Sequence, residues 1–153
     1  MKTHILCLGD SNTHGYCADP KDNADGGIRF NEDERWTCRL QTALGDKYLV
    51  TEEGLSGRTT VFADPIHESM DALSVAYPLL KSHEVIDLLI IMLGTNDTGM
   101  SVDEFIKNYT ALVQAIQESY PYTDIIVNTV PPVPANHANY PHMDQTKIDD
   151  FNM

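Results

Sequence analysis

Three short segments of the chain carry residue types that suit acyl transfer. Each follows a run of apolar residues, and they read Gly9-Asp10-Ser11-Asn12, Glu53-Gly54-Leu55-Ser56-Gly57-Arg58 and Gly94-Thr95-Asn96-Asp97. Small residues at such points let the backbone approach a substrate closely. The first segment offers a hydroxyl, and the other two offer hydrogen-bond donors.

The chemistry that fits these residues is nucleophilic attack on an acyl carbon. Ser11 would be the nucleophile. Its own N–H, the N–H of Gly57 and the side-chain amide of Asn96 could converge on the oxygen that becomes negative, where each good donor is worth about 3 kcal/mol. The structural alternative makes the glycines turn residues and Asn96 a cap or turn residue.

The histidines suggest no metal site. His137, His142 and Asp144 share one loop, but their spacing is irregular and lacks a helical register, so we predict that they bind no metal. We expect His14 in a pocket wall near Ser11, and His83 on the surface near the C-terminus of a helix.

The elements that must position these segments alternate along the chain. Apolar runs predict strands, and apolar residues recurring every three or four positions predict helices. The predicted strands are 4–8, 48–51, 85–93 and 124–130, and the predicted helices begin near 36, 70 and 102. Residues 133–153 are expected to be loop-like and then to enter a helix.

This alternation predicts an α/β fold in a single domain over residues 1–153, with a parallel sheet and helices on both faces. With strand order 2-1-3-4, the three segments become neighbours at one edge of the sheet. Ligands bind beyond the carboxyl ends of strands in such sheets.

Composition excludes several partners. The formal net charge of −13 should repel nucleic acid and anionic membranes. The three cysteines show no paired spacing, and Cys7 is expected to be a small buried hydrophobe. We find no signal-peptide core or membrane-spanning stretch, and we expect a soluble, cytoplasmic protein.

Taken together and in this order, the three segments resemble the GDSL or SGNH serine hydrolase family. Ser11 matches the nucleophile of the family's first block, Gly57 the glycine of its second and Asn96 the asparagine of its third. The runs 52–60 and 90–98, together with Arg35-Trp36, look like the arylesterase and acyltransferase branch. The resemblance implies a three-layer flavodoxin-like fold, no cofactor, and hydrolysis of small esters with alcohols as alternative acceptors.

Three further residues are assigned to substrate binding: Asp10, Trp36 and Asp97. Trp36 would alternatively belong to the core, and Asp97 would alternatively brace its own turn. For Arg58 we prefer contact with a surface acid over contact with a substrate carbonyl.

The family's fourth block, an Asp-x-x-His motif after a fifth strand, is not found. The match at residues 64–67 precedes the third block, and we interpret it as coincidence. We therefore interpret the chain as a truncated hydrolase without its general base. The alternative is a non-catalytic protein that binds an acyl or sugar ligand. Without the fifth strand, we expect an exposed hydrophobic edge at the fourth strand, an uncovered sheet face, and self-association.

Overall fold

The computed structural model describes residues 1–62, 69–133 and 144–153. Its strands are β1 (Thr3–Gly9), β2 (Tyr48–Gly54), β3 (Leu88–Met92) and β4 (Asp124–Val127), and its helices are α1 (Ser11–His14), α2 (Trp36–Leu44), α3 (Ala72–Lys81), α4 (Val102–Ser119) and α5 (Gln145–Phe151). Short 3-10 turns span Pro20–Asp22 and Thr95–Asp97.

The described strands form one parallel sheet in the order β2-β1-β3-β4. This confirms the predicted strand order and the α/β fold. Because all four strands point the same way, the carboxyl ends of β1, β2 and β3 lie side by side. The segments that follow them are thereby brought to one edge of the sheet.

Helices lie on both faces of this sheet. Glu52 and Glu53 are consecutive in β2, so their side chains point to opposite faces. Glu52 accepts hydrogen bonds from Arg35 and Thr37 beside α2, whereas Glu53 bonds His83 after α3. The main core fills the α3 face, where buried leucines and isoleucines of β1 and β3 meet α3 and α4.

The sequence identified α3 correctly but misjudged its buried face. Tyr77 belongs to the stripe of large residues at three- and four-residue steps that indicated this helix, yet it is 59% exposed. The residues that α3 buries are Ala72, Ala76 and Leu80. Small alanine side chains let the helix approach its neighbours closely, and a pattern based on large residues does not detect them.

β3 and β4 are shorter than predicted. Val85 lies before the strand, outside regular secondary structure, and is 54% exposed. The Asn128 N–H still donates to the carbonyl oxygen of Ile91 in β3 at 2.8 Å, but the backbone of Val130 pairs instead with the side chain of Asn152, at 2.7 Å and 2.9 Å. A side chain that takes over the backbone bonds of a strand cannot be foreseen from periodicity.

The helix expected near the end of the printed chain is α5, and it completes part of the core. Ile148 is fully buried, and the Phe151 ring stacks on Phe105 at 3.8 Å between centroids. The opposite sheet face stays partly open, as predicted: Ile90 is half-buried and its neighbour Ile126 is 47% exposed. In the described ranges, no helix combines the length and the apolar character needed to cross a bilayer.

Candidate active site

The loops after β1, β2 and β3 surround a cavity of about 480 Å³. The residues that line it are Ser11, Asn12, Tyr16, Cys17, Ala18, Asp22, Phe30, Ser56, Gly57, Thr95, Asn96, Pro131, Pro132 and Val133. Ser11, Gly57 and Asn96 are thus brought together in one cavity wall.

Ser11 is the first residue of α1, which begins directly after β1. Asp10 caps this helix by accepting a hydrogen bond from the Asn12 N–H at 2.9 Å. The first N–H groups of a helix have no partner within it, which leaves the Ser11 N–H available as a donor. α1 lies so close to β2 that a Cβ at Gly54 would overlap the backbone of His14.

Gly57 lies in a tight turn after β2. Its φ of +86° is in the left-handed region that glycine adopts without strain. The turn is tied to β1 by the Leu55 N–H, which donates to the carbonyl oxygen of Gly9 at 3.2 Å. Within the turn, the Arg58 N–H donates to the carbonyl oxygen of Leu55 at 3.0 Å.

Asn96 lies in the Thr95–Asp97 turn after β3. Its amide Nδ2 donates to the carbonyl oxygen of Arg58 at 2.9 Å, which holds the Asn96 side chain against the residue that follows Gly57. An amide nitrogen carries two N–H groups, so one remains for a ligand. The side chain therefore has its position fixed by the second loop.

Asp10 and Asp97 do not lie where a substrate could contact them, contrary to their assignment to substrate binding. Asp10 is 0% exposed and Asp97 is 1% exposed. Asp97 accepts hydrogen bonds from the N–H and the hydroxyl of Thr60, at 3.0 Å and 2.7 Å. Asp97 therefore links the loop after β3 to the loop after β2, rather than bracing its own turn, which was the alternative from the sequence.

Burial sets the electrostatics of these two carboxyls. Desolvation raises the pKa of Asp10, hydrogen bonds from Asn12 oppose that rise, and the nearby Asp97 adds to it. Desolvation likewise raises the pKa of Asp97, against the hydrogen bonds from Thr60. Both carboxyls are therefore harder to ionise than exposed ones.

Trp36 was also assigned to substrate binding, but it is not among the residues that line the cavity. It is the first residue of α2 and is half-buried. Its buried Nε1 has no hydrogen-bond partner within the described ranges. The aromatic side chain that does line the cavity is Phe30.

Arg58 was predicted to contact a surface acid, but no ion pair of its side chain with an acid is found among the described residues. It is only 6% exposed, and its Nη1 donates to the carbonyl oxygens of Gly9 at 3.1 Å and Glu53 at 2.6 Å. Burial lowers the pKa of its guanidinium, and the charges of Glu53 and Asp10 act against that effect.

Sequence reasoning missed the wall formed by residues 16–30 and the one formed by residues 131–133. Cys17 is 1% exposed, and its Sγ donates to the carbonyl oxygen of Asp19 at 2.9 Å. The sequence of these segments indicates only that they are polar or proline-rich loops. The available signal was their position, because they immediately follow α1 and β4 at the carboxyl edge of the sheet.

None of the described histidines lines the cavity. His83 pairs with Glu53 at 2.8 Å and is not the surface residue that was expected. His4 bonds the carbonyl oxygen of Val85 at 2.7 Å, while burial and Arg29 lower the pKa of His14. His67, His137 and His142 lie outside the described residues, as does the 64–67 motif.

A metal cluster is likewise not found in the described part of the chain, where no three His, Cys, Asp or Glu side chains are grouped suitably. Of the three residues considered for a metal, only Asp144 is described. It caps α5 by accepting hydrogen bonds from the N–H groups of Thr146 and Lys147.

Residues 7–153 match the model of the GDSL-like lipase/acylhydrolase family. No curated protein sequence matches the chain. Among solved structures, the native aryl esterase of M. smegmatis is 33% identical, with a TM-score of 0.85 over 97% of this chain and 75% of that one. A carbohydrate acetylesterase from Sinorhizobium meliloti is 30% identical, with a TM-score of 0.85 over 98% of this chain and 76% of that one.

Proposed function

The chain belongs to the GDSL-like lipase/acylhydrolase family, and we propose that it is a serine esterase acting on small carboxylic esters. The observation that carries the proposal is the convergence of Ser11, Gly57 and Asn96 on one cavity. An aryl esterase and a carbohydrate acetylesterase among its structural relatives support ester hydrolysis as the reaction class.

In the proposed reaction, the Ser11 hydroxyl oxygen attacks the ester carbonyl carbon and the bond to the alcohol oxygen breaks. The serine proton passes through a general base to the departing alcohol. Water then attacks the acyl-serine, releases the carboxylic acid and restores Ser11. An alcohol in place of water yields a new ester, so acyl transfer follows from the same intermediate.

The Ser11 and Gly57 N–H groups and the Asn96 amide stabilise the oxyanion in both steps. Such donors matter because they are already oriented when the charge develops, in a site that excludes much of the water. The proposal assigns neither a cofactor nor a metal ion to any step.

A second candidate function is ligand binding without turnover. It is favoured by one observation, namely that none of the described histidines lines the cavity. A serine hydroxyl without a base is a weak nucleophile. In this alternative, the cavity holds an acyl group or a sugar and leaves it intact.

The deciding experiment is hydrolysis of p-nitrophenyl acetate by the wild-type chain, Ser11→Ala and the control Ser56→Ala. Ser56 also lines the cavity but has no assigned role. We expect turnover above the buffer rate for the wild type and the control, and none for Ser11→Ala. If Ser11→Ala retains the wild-type rate, the esterase proposal is wrong.

The same experiment separates the second candidate. If the chain binds a ligand without turnover, p-nitrophenol is not released in a Ser11-dependent way. Acetate or glucose should then give a saturable heat of binding. Where Ser11-dependent turnover is found, alanine substitutions at His67, His137 and His142 identify the base, because its loss lowers the rate by about 10²-fold or more.

A further inference from the structure

Each residue of the proposed site has a buried ionisable neighbour in the sequence. Asp10 precedes Ser11, Arg58 follows Gly57 and Asp97 follows Asn96, and none of these neighbours is more than 6% exposed. Buried charges are costly unless they are paired or hydrogen-bonded. The burial of three ionisable side chains next to the proposed site residues therefore suggests that they have a structural role there.

Arg58 is the member of this group that contacts all three loops. Its guanidinium donates to the carbonyl oxygens of Gly9 and Glu53, at the ends of β1 and β2. Its own carbonyl oxygen accepts from the Asn96 amide in the loop after β3. One residue thus connects the strand end before Ser11, the turn that holds Gly57 and the side chain of Asn96.

We propose that Arg58 is a positioning residue that holds the two oxyanion donors of the Gly57 and Asn96 loops in register with Ser11. The catalytic part of this inference rests on the proposed esterase function. The geometric part, that the Arg58 side chain fixes the orientation of the Asn96 amide, holds whether or not the chain turns over an ester.

The mechanical reason lies in the backbone. The Arg58 side chain is anchored to the carbonyl oxygens of Gly9 and Glu53 at 3.1 Å and 2.6 Å, and these hydrogen bonds oppose a shift of its main chain. Gly57 is its neighbour and Asn96 bonds its carbonyl. A shift of the Arg58 main chain would therefore displace both donors at once, and donors act only when they point at the position of the oxyanion.

The guanidinium suits this role because it cannot be neutralised by burial. Arginine keeps its charge in proteins and presents several donors in a rigid plane. Lysine keeps the positive charge at the end of a flexible chain, so it should restore the contact with the carbonyl oxygens only in part.

The test compares Arg58→Met, Arg58→Lys and the control Arg39→Met, which removes an exposed arginine from α2. The first readout is the side-chain amide resonance of Asn96 in a proton–nitrogen spectrum, assigned by its loss in Asn96→Ala. We expect this resonance to shift or broaden in Arg58→Met, to move part of the way in Arg58→Lys and to stay in place in Arg39→Met.

The second readout is the kinetics of p-nitrophenyl acetate hydrolysis, measured well below the melting temperature of each variant. We expect kcat to fall about 10-fold or more in Arg58→Met with KM changed by less than about 3-fold, because a misplaced donor costs transition-state stabilisation. Arg58→Lys should recover part of kcat.

A purely structural Arg58 would lower the melting temperature and leave both readouts at wild-type values, and that result would overturn the proposal. If the wild type shows no Ser11-dependent turnover, the esterase function fails by itself. The Asn96 resonance then decides the geometric part: an unchanged resonance in Arg58→Met contradicts it, and a shifted one supports it.

Discussion

At the scale of single residues, Asn96 combines an anchor and a donor in one side chain. Asn96→Ala removes the hydrogen bond to Arg58 and the N–H left for the oxyanion. We expect kcat for p-nitrophenyl acetate to fall by about 10²–10³-fold, with a smaller change in KM. Ser56→Ala serves as the control from the same cavity wall, and equal losses in the two variants would contradict a role for Asn96.

A comparison of the wild type with Asp97→Asn shows how the buried Asp97 carboxyl changes the pH dependence of the free energy of unfolding. Burial raises the pKa of Asp97 in the folded protein above the ordinary value of 3.8, so the unfolded chain loses this proton at lower pH. Between the two pKa values unfolding releases a proton, and the free energy of unfolding therefore falls as the pH rises. Asparagine can still accept the bonds from Thr60 and has no such proton.

We expect the wild type to lose more unfolding free energy than Asp97→Asn as the pH rises above 3.8, the ordinary value for aspartate, as measured by urea denaturation. Asp46→Asn, a change at an exposed aspartate, is the control. Parallel profiles for wild type and Asp97→Asn would show that this carboxyl ionises equally easily in both states.

Sequence reasoning at this scale could locate loops but not the direction of side chains. Ser11, Gly57 and Asn96 were placed correctly in one cavity because each follows a parallel strand, and parallel strands share an edge. Asp10 and Asp97 occupy the same loops, yet they turn inward to cap α1 and to bond Thr60. That choice depends on partners that only the folded chain brings near.

At the scale of elements, α5 is expected to contribute to the stability of the fold. Ile148 is fully buried among side chains of the main core. Ile148→Ala should lower the free energy of unfolding by about 2–5 kcal/mol, the usual cost of a large-to-small core change. Thr146→Ala, at an exposed position of the same helix, should change it by about 0.5 kcal/mol or less. Equal small effects in urea denaturation would mean that α5 is dispensable.

The outer edge of β4 is expected to drive self-association. Among the described residues, β4 pairs only with β3, and Ile126 and Val127 are 47% and 49% exposed. Exposed apolar edges pair with other chains, and a lysine on such an edge opposes that pairing. Ile126→Lys should shift the chain towards monomer in sedimentation velocity, whereas Ala43→Lys on the surface of α2 should not.

A wild-type chain that stays monomeric over the accessible concentration range would contradict this prediction. The sequence predicted an exposed hydrophobic edge because Ile125, Ile126 and Val127 are all apolar. It did not foresee that α5 packs on α4 through Phe151 and Phe105, or that Asn152 bonds the backbone of Val130 beyond the end of β4. Those contacts join residues far apart in the chain, and no local pattern records them.

At the scale of the whole molecule, negative charge should select among substrates. The net charge is −13, and among the described residues that line the cavity Asp22 carries a carboxylate and none is Lys or Arg. If the esterase proposal holds, a neutral acetate ester should have a higher kcat/KM than a similar ester bearing a carboxylate. Raising the ionic strength to about 1 M, where the screening length is about 3 Å, should bring the kcat/KM values of the neutral and the anionic ester closer together.

At low salt, Asp22→Asn should also bring the kcat/KM values of the two esters closer together. Asp46→Asn, a change at an aspartate that does not line the cavity, is the control. An equal kcat/KM for the neutral and the anionic ester at low salt would contradict electrostatic selection. The sequence analysis used the net charge only to exclude nucleic acid and anionic membranes as partners, because it could not show which charged residues line the cavity.

The position of β1 at the centre of the sheet has a consequence for protein synthesis. β1 leaves the ribosome before the other described strands, but Ile5 must wait for its β3 partner Leu88, as His4 must wait for Asp87, 83 residues later. β2 can pair with one side of β1 once residues 48–54 have emerged, but the other side of β1 has no partner strand until β3 is made, and folding that depends on distant partners is slow. Nascent chains in that interval expose apolar segments, so holding chaperones are expected to raise the yield of folded protein more than a slower rate of translation would.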